Sequence, residues 1–544
     1  MTASTLVRTA PLRGLFAAPR GRESCASYTS AMNCDYVVVG TGSAGSVVAA
    51  RLSAEPSARV VVLEAGPMDK DKFVHIPAAF SKLFRSPMDW DYLTEPQKEV
   101  GGREIYWPRG KVLGGSSSMN AMMWVPGFPD DYDEWAQHAG EQWDYAHLRP
   151  YFDKIEDGAL VISEQRSPRS STGAWLRAAT QAGYRLTTPG SPMLDGFCQT
   201  AVTQRRGARW SCADAYLKPA LYRRNLTLHT GALVRRVIFE GNRAVGVEFD
   251  DADGRRQVLR AAREVVLCAG AVNTPQLLML SGIGAGKQLR EFGIDVVHDA
   301  PEVGRNMLDH LITPLGFDVR DDSLFDAEKP KELVNYLMRR RGMLTSNVGE
   351  AYGFVRSRPE LELPDLELIW APAPFFEEGL GEPYGHAIAT GPVLLKPLST
   401  GTVTLRSPDP AAKPVIDPQY LSDPGGVDRA AMMEGLRITV RIARSPALRD
   451  VVGGVARPLH ATELDDETLE RAIDSCSHTL YHPVGTCRMG RDEASVVDPQ
   501  LRVRGVQGLR VADASVMPAI VRGHTHAPAV VIGEKAAELI TAGN

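Results

Sequence analysis

The sequence predicts an α/β protein whose main domain is of Rossmann type and is assembled from separate stretches of the chain. A strand, a glycine-rich turn, a helix, a second strand and an acid follow one another between Asp35 and Glu64. Alternating apolar residues spell out a hairpin far downstream, from Val234 to Phe249, and one more short apolar strand, Leu509 to Asp513, comes near the C-terminus. At 544 residues the chain is too long for one hydrophobic core, so a second domain is expected.

The first unit is the most informative. Asp35-Tyr36-Val37-Val38-Val39 is the β-branched run that a parallel sheet buries, and it leads directly into Gly40-Thr41-Gly42-Ser43-Ala44-Gly45. In this fingerprint Gly40 permits the tight turn, Gly42 lets the backbone approach a pyrophosphate, and Gly45 lets the helix pack closely on the strand. The helix N-terminus, at Ser43 and Ala44, supplies N–H groups to the anion. The next strand, Arg59 to Leu63, ends in Glu64, about 20 residues beyond the last glycine, where an acid grips a ribose hydroxyl and disfavours a 2′-phosphate. An adenine dinucleotide is expected here, with NAD and FAD equal candidates on this unit alone.

Further elements follow in order. Leu226-Thr227-Leu228 and Val234 to Phe239 are strand-like, and the turn Gly241-Asn242-Arg243 carries the second of these into Ala244 to Phe249. Glu264 to Gly270 is again a buried strand that ends on glycine. The strand from Leu509 to Asp513 precedes a helix beginning near Ala527, so the last stretch of chain returns to the nucleotide domain. The middle third, with proline-rich loops around Pro372, Pro374 and Pro397, is left to form the other domain.

Composition excludes several classes. A net charge of −5 gives no electrostatic footprint for nucleic acid. The seven cysteines are scattered, with no C-x-x-C pair, which reads as a reduced, cytoplasmic protein without a metal. No apolar run reaches the roughly 18 residues of a membrane span. Residues 1–31 stand apart, with Arg8, Arg13, Arg20 and Arg22 against the single acid Glu23. They read either as an organelle transit peptide or as the product of a start codon upstream of Met32.

A second glycine-rich segment, from Trp107 through Gly114-Gly115-Ser116-Ser117-Ser118-Met119-Asn120, resembles the signature of the glucose-methanol-choline oxidoreductases. So do Gly270 to Leu278 with Ser281-Gly282-Ile283-Gly284, and the stretch from Tyr481 to Ile540. The chain is most similar to the choline-dehydrogenase-like and alcohol-dehydrogenase-like bacterial branch. The resemblance implies an FAD-binding domain from residues 33–157, 200–312 and 476–544. It also implies an α+β substrate domain, with an antiparallel sheet, from 158–199 and 313–475.

The resemblance also implies a reaction, oxidation of an alcohol, and roles for residues. His482, in Tyr481-His482-Pro483-Val484-Gly485-Thr486, takes the place of the catalytic base. An imidazole titrates near neutrality, so it can accept the hydroxyl proton as the adjacent carbon gives hydride to flavin N5. In Arg522-Gly523-His524-Thr525-His526-Ala527-Pro528, His524 aligns with the second catalytic position, bonding the substrate oxygen, and His526 with a position nearer the flavin's pyrimidine end. Gly114, Gly115 and Ser116 align as backbone donors to the flavin or pyrophosphate, Asn120 as a neighbour of N5, Val234 as an adenine-side contact and Asp513 as the acid beside the ribityl chain or pyrophosphate. Met119 stands where some relatives carry a histidine bonded covalently to the flavin, so FAD is expected to be non-covalent.

Two other uses of such a chain are weighed against this one. A non-redox or light-driven flavoenzyme, akin to the hydroxynitrile lyases or photodecarboxylases of the family, is the alternative. The photodecarboxylase-like members lack the His482 equivalent and carry a cysteine at Leu395. A non-catalytic flavin-binding protein is set against the intact motifs. The chain departs from its relatives after Asp157, where a longer polar loop is cut to Gly158-Ala159-Leu160-Val161-Ile162-Ser163; this bears on substrate entry and on contacts in a homo-oligomer. Phe354, Trp370, Phe375, Phe376 and Tyr384 favour an aliphatic or aromatic alcohol over a sugar; a choline-like substrate would want a carboxylate as well, for which Glu350, Glu367, Glu377 and Glu378 are present, each alternatively an acid of a solvated loop. Oxygen, a quinone or another carrier stays open as the electron acceptor.

Overall fold

A strand apolar on both sides must be covered on both faces, and that condition shapes the first sheet. The computed structural model describes residues 32–189, 196–382 and 384–543, so the leader reading for residues 1–31 lies outside the described residues. Met32–Val39 (β1) is followed by the helix Ser43–Leu52 (α1) and by Val60–Glu64 (β2), with β1 and β2 parallel and in register from Tyr36 opposite Val60. Val37, Val38 and Val62 have no exposure. Leu226–Thr230 (β3) continues the parallel set beyond β2. On its other side β1 pairs with the long strand Arg256–Leu267, whose first half pairs antiparallel with Arg243–Asp250 and that in turn with Leu233–Glu240. Numbered in chain order, Leu233–Glu240 is β4, Arg243–Asp250 is β5 and Arg256–Leu267 is β6.

The helix Gly270–Leu280 (α2) leaves β6. Leu509–Val511 (β7) then adds to the parallel set beside β6, and His526–Ala542 (α3) lies against α1. Charge fixes that helix pair. The Glu534 carboxylate, fully buried, is held by Arg51 of α1 at 2.7 Å and by Lys154 at 2.7 Å. A buried carboxylate with two cations is compensated, and only the loss of both would leave it with the full cost of desolvation.

The second sheet is antiparallel. Its order is Val452–Arg457, Leu315–Val319, Ala387–Leu394, Leu366–Ala371, Ala351–Val355 and Phe197–Gln199. Leu311–Ile312 and His478–Thr479, which lie in segments expected to belong to the nucleotide domain, pair onto this sheet instead. The central strands are buried at every position, because the sheet is covered on one face by the helix Val427–Ala443 and lies against the site on the other. The period of two then sorts the residues. Leu368, Trp370 and Ile388 join the core with that helix, while Ile369, Ala371 and Ala389 face a cavity between the sheets. Glu367 falls on the cavity side with Ile369. Among the described residues no helix is long and apolar enough to cross a membrane.

Candidate active site

The turn after β1 has no room for side chains on the protein side. Gly40 has φ +96°, and a Cβ there would lie 2.5 Å from the Cys268 carbonyl oxygen; at Gly45 it would lie 2.1 Å from the Gly40 carbonyl oxygen. Gly42 differs. A Cβ built on it meets no protein atom within 4 Å, because the residue opens onto the cavity. The N-termini of α1 and α2 face the same space, so backbone donors and two helix dipoles converge where an anion could sit.

Of the residues assigned catalytic or cofactor-binding roles from the sequence, all but Gly45 and Gly114 line this one cavity. Glu64, at the end of β2, is buried and accepts hydrogen bonds from Thr41 N–H (2.9 Å), Thr41 Oγ1 (2.5 Å) and Gly66 N–H (2.9 Å). Burial nonetheless raises its pKa above the ordinary carboxylate value. Thr41 Oγ1 also accepts the Gly114 N–H at 3.1 Å, which ties the second glycine-rich segment to the first. Val234 lies beside Glu64, because the Ala232 N–H bonds the Glu64 carbonyl oxygen at 2.8 Å. Asp513 follows β7 and accepts from Gly270 N–H, Thr274 Oγ1 and Ser515 N–H. Asn120 Oδ1 is engaged by Arg209 Nη1 at 2.7 Å and by Met122 N–H at 3.0 Å, leaving the amide Nδ2 as the group it offers to the cavity.

A dinucleotide with a flavin fits this donor set. The Glu64 carboxylate, the open Gly42 near two helix N-termini and the Asn120 amide all line one cavity, and they are the kinds of group that a ribose, a pyrophosphate and an isoalloxazine ring require.

His482, His524 and His526 line the same cavity. The rings of His482 and His524 are 4.7 Å apart between centroids. His482 Nδ1 lies 2.9 Å from Nδ1 of His310, whose Nε2 lies 3.1 Å from the Leu395 carbonyl oxygen. A carbonyl only accepts, so His310 carries its proton on Nε2; burial presses its pKa down to about 3, so the ring is neutral and Nδ1 is a lone pair. His482 must therefore donate from Nδ1. Burial, with His524, His310 and Arg109 around it, holds the His482 pKa well below the ordinary value, so that ring is neutral as well and its Nε2 is an unprotonated base.

The backbone around His482 is held as firmly as its ring. Its N–H donates to Asp309 Oδ1 at 2.8 Å, and the Asp309 carboxyl also accepts from Thr479 Oγ1 and Tyr420. Burial raises Asp309 to about 6. Tyr481, directly before the base, has φ +69°, a conformation that costs an aromatic residue energy and is kept by Arg109 Nη1 on its carbonyl at 2.7 Å and Thr479 Oγ1 on its N–H at 2.7 Å. His524 donates its N–H to the Val125 carbonyl and sets Nε2 3.1 Å from Glu367. His526 opens α3, its Nδ1 2.9 Å from Ser43 Oγ and its ring edge-on to Trp124.

Several expectations need correcting. Glu350 and Glu367 are fully buried rather than solvated: Glu350 accepts from Thr172, Ser346 and Arg169, and Glu367 backs His524. Glu378 is pushed by burial to about 7, whereas Glu377 is exposed on its loop, as a solvated acid would be, and pairs with Arg457. Of the aromatic residues assigned to the substrate side, Phe375 alone lines the cavity; Trp370 stacks on Trp175, Phe354 packs on Phe128, Phe376 lies under Arg457, and Tyr384 is exposed. The aromatic wall is made instead by Phe80, Phe84, Trp90 and Tyr481. Reasoning from sequence missed His310, Asp309 and Arg109. The run Asp309-His310 before an apolar strand was the available signal.

Asp69, His75 and Asp214 bring potential metal ligands together, but the Lys218 ammonium lies 2.5 and 2.6 Å from the two carboxylates and takes the cation's place.

Comparison with known proteins agrees with this architecture. Profiles described as GMC oxidoreductase match residues 34–312 and 397–533. An uncharacterized GMC-type oxidoreductase of Mycobacterium tuberculosis is 67% identical over 93% of this chain and 99% of that protein. Alcohol dehydrogenase (acceptor) of Pseudomonas putida is 41% identical over 93% and 95%. A solved formate oxidase of Aspergillus oryzae, described for the effect of a mutation on FAD modification, shares the fold with a TM-score of 0.87 at 29% identity, over 95% of this chain and 99% of that one. With profile matches across most of its length and relatives aligned nearly end to end, the chain belongs to the GMC oxidoreductase family.

Proposed function

We propose that the protein binds FAD without a covalent link and oxidises the CH–OH group of an alcohol. The observation that carries this reading is the chain of hydrogen bonds from the Leu395 carbonyl through His310 to His482 Nδ1, which leaves Nε2 as the lone-pair nitrogen of a residue lining the cavity. Glu64 would hold the adenosine ribose beside Val234, the N-termini of α1 and α2 the pyrophosphate with Asp513 alongside, and Asn120 and His526 the flavin ring. When bound, FAD supplies the two-electron acceptor for hydride from the carbinol carbon.

The remaining work falls to side chains of this protein. His482 Nε2 takes the hydroxyl proton, while Nδ1–H stays on His310 and keeps the ring from turning. His524, fixed by Glu367 and by its own backbone, lies beside His482 and orients the alcohol oxygen. Phe80, Phe84, Phe375 and Tyr481 exclude water and suit an aliphatic or aromatic alcohol. Met119, buried at the cavity wall, offers a thioether that cannot form a histidyl bond to a flavin.

Purified protein is expected to be yellow, to release intact FAD on acid precipitation and to be bleached anaerobically by at least one member of a panel of alcohols. A pellet that retains the colour would refute the non-covalent link. Flavin that no alcohol reduces would refute the reaction. Reoxidation of the bleached flavin by air or by a quinone dye identifies the class of acceptor.

A further inference from the structure

The helix Pro330–Arg339 is mounted with its polar side inward. Glu332 Oε2 accepts the Met343 N–H at 3.0 Å, and a Cβ on Gly342 would meet Asn335 Nδ2 at 2.5 Å and Glu332 Oε2 at 2.6 Å. Tyr336 is buried beside them. Outward point Leu333, Val334, Leu337 and Met338, exposed at 45%, 59%, 61% and 79%. Their spacing puts all four on one helix face. Single exposed apolar residues are ordinary on a soluble protein, but a helix face made of them, on a helix whose polar residues face the protein, is not.

Charge says what covers that face. Lys331 stands exposed at one end of the helix, beside Lys329, which bonds Asp326 at 2.7 Å, and Arg339, Arg340 and Arg341 stand exposed at the other. Glu332 is the one acid from residue 329 to 341, and it faces inward. This basic and apolar patch belongs to a chain whose net charge is −5. Apolar side chains framed by lysine and arginine are the pattern of a helix that lies in the plane of a membrane surface and favours anionic lipid. A second copy of the chain is a poor occupant, since a twofold contact would set the basic rim against itself.

From this geometry we infer that the outer face of the helix Pro330–Arg339 docks on an anionic bilayer surface. Leu333, Val334, Leu337 and Met338 enter the region between headgroups and acyl chains, and the flanking cations meet lipid phosphates. Tyr336, Met343 and Leu344 share one apolar cluster with Phe80, Phe84 and Met119, which line the active-site cavity; the helix packs on Met343–Thr345, and that turn packs on Pro77–Leu83, which carries Phe80. The inference is independent of the reaction proposed above.

The test is co-sedimentation of the full-length holoprotein with vesicles of phosphatidylcholine, with and without phosphatidylglycerol. Wild type is expected to pellet with the anionic vesicles and to be released by salt. The double variant Leu337→Glu/Met338→Glu should lower the bound fraction at least about tenfold. The variant Arg339→Gln/Arg341→Gln should weaken binding to anionic vesicles by roughly tenfold or more and leave binding to neutral ones unchanged. Melting temperature and flavin content, read on each variant, should match wild type. Failure of wild type to pellet, equal binding to both vesicle types, or full binding by the glutamate variant, which would locate attachment elsewhere in the chain, each overturns the inference. So does a dimer that the glutamate variant dissociates, with no vesicle binding.

Discussion

The Nδ1 atoms of His310 and His482 lie 2.9 Å apart, and because His310 spends its Nε2 proton on the Leu395 carbonyl, only His482 can donate across that gap. One backbone carbonyl thereby determines which nitrogen of the proposed base is free.

His310→Leu removes the acceptor and frees His482 to turn or change tautomer. Flavin reduction by an active alcohol should slow by roughly 10²-fold, with FAD content retained. His310→Asn, whose amide oxygen can still accept, should recover part of the rate. Anaerobic stopped-flow reduction makes the comparison, and equal rates for His310→Leu and wild type would remove His310 from the mechanism.

His482→Ala should keep FAD bound yet reduce it about 10²- to 10⁴-fold more slowly. His524→Asn should retain more activity than His524→Ala, because an amide can still hydrogen-bond where a methyl cannot. His526→Ala, beside Ser43, should mainly weaken flavin binding or shift its spectrum. If His526→Ala abolished reduction while His524→Ala spared it, the two roles would have to be exchanged.

The pH dependence of reduction has a definite sign. Burial lowers the His482 pKa, and the protonated ring cannot accept a proton, so the rate should rise with pH through that lowered pKa and then hold level through neutrality. The midpoint of the acid limb should fall below the ordinary histidine value of about 6.5. In His310→Leu the limb should move, which a purely structural role for His310 would not cause. A wild-type midpoint at or above the ordinary value would show that His482 is not the titrating base.

Gly42→Leu and Thr41→Val should separate ligand space from protein packing. The leucine side chain begins where no protein atom lies within 4 Å, so the protein without flavin should keep its melting temperature while FAD binding is lost. Thr41→Val instead strips Glu64 of one donor and Gly114 of its acceptor inside the protein, and should lower stability by about 1–3 kcal/mol. Thermal melts with and without added FAD read both. Normal flavin content in Gly42→Leu would place the pyrophosphate elsewhere.

What could be read from the sequence was local. The unit from Asp35 to Glu64 and the hairpin from β4 to β5 form through neighbours in the chain, so period and glycine placement reported them directly. The motif histidines could be placed because they sit in long, recognisable segments. The partners that set their chemistry could not: His310 meets His482 across 172 residues and Glu367 meets His524 across 157. Glu367 in isolation is an acid in an apolar stretch, and only the alternation of its strand against the second sheet turns it toward the site. The aromatic residues failed for a related reason. Composition of the middle third gives their number but not their side of the sheet, and Trp370 fell on the core side while Phe375 fell on the cavity side.

The return of β7 and α3 to the first sheet has a consequence for biosynthesis. β1 and β2 leave the ribosome long before the strand that flanks β6, the helix that covers α1 and both His524 and His526. At the usual 5–20 residues per second, roughly half a minute or more separates the first glycine turn from the last wall of its pocket. Until then the nascent chain carries a half-built nucleotide cradle with the flank of α1 bare and the Arg51 guanidinium lacking Glu534. Flavin is therefore expected to load only after α3 has been made, and a chain cut short before α3 should neither cover α1 nor retain flavin.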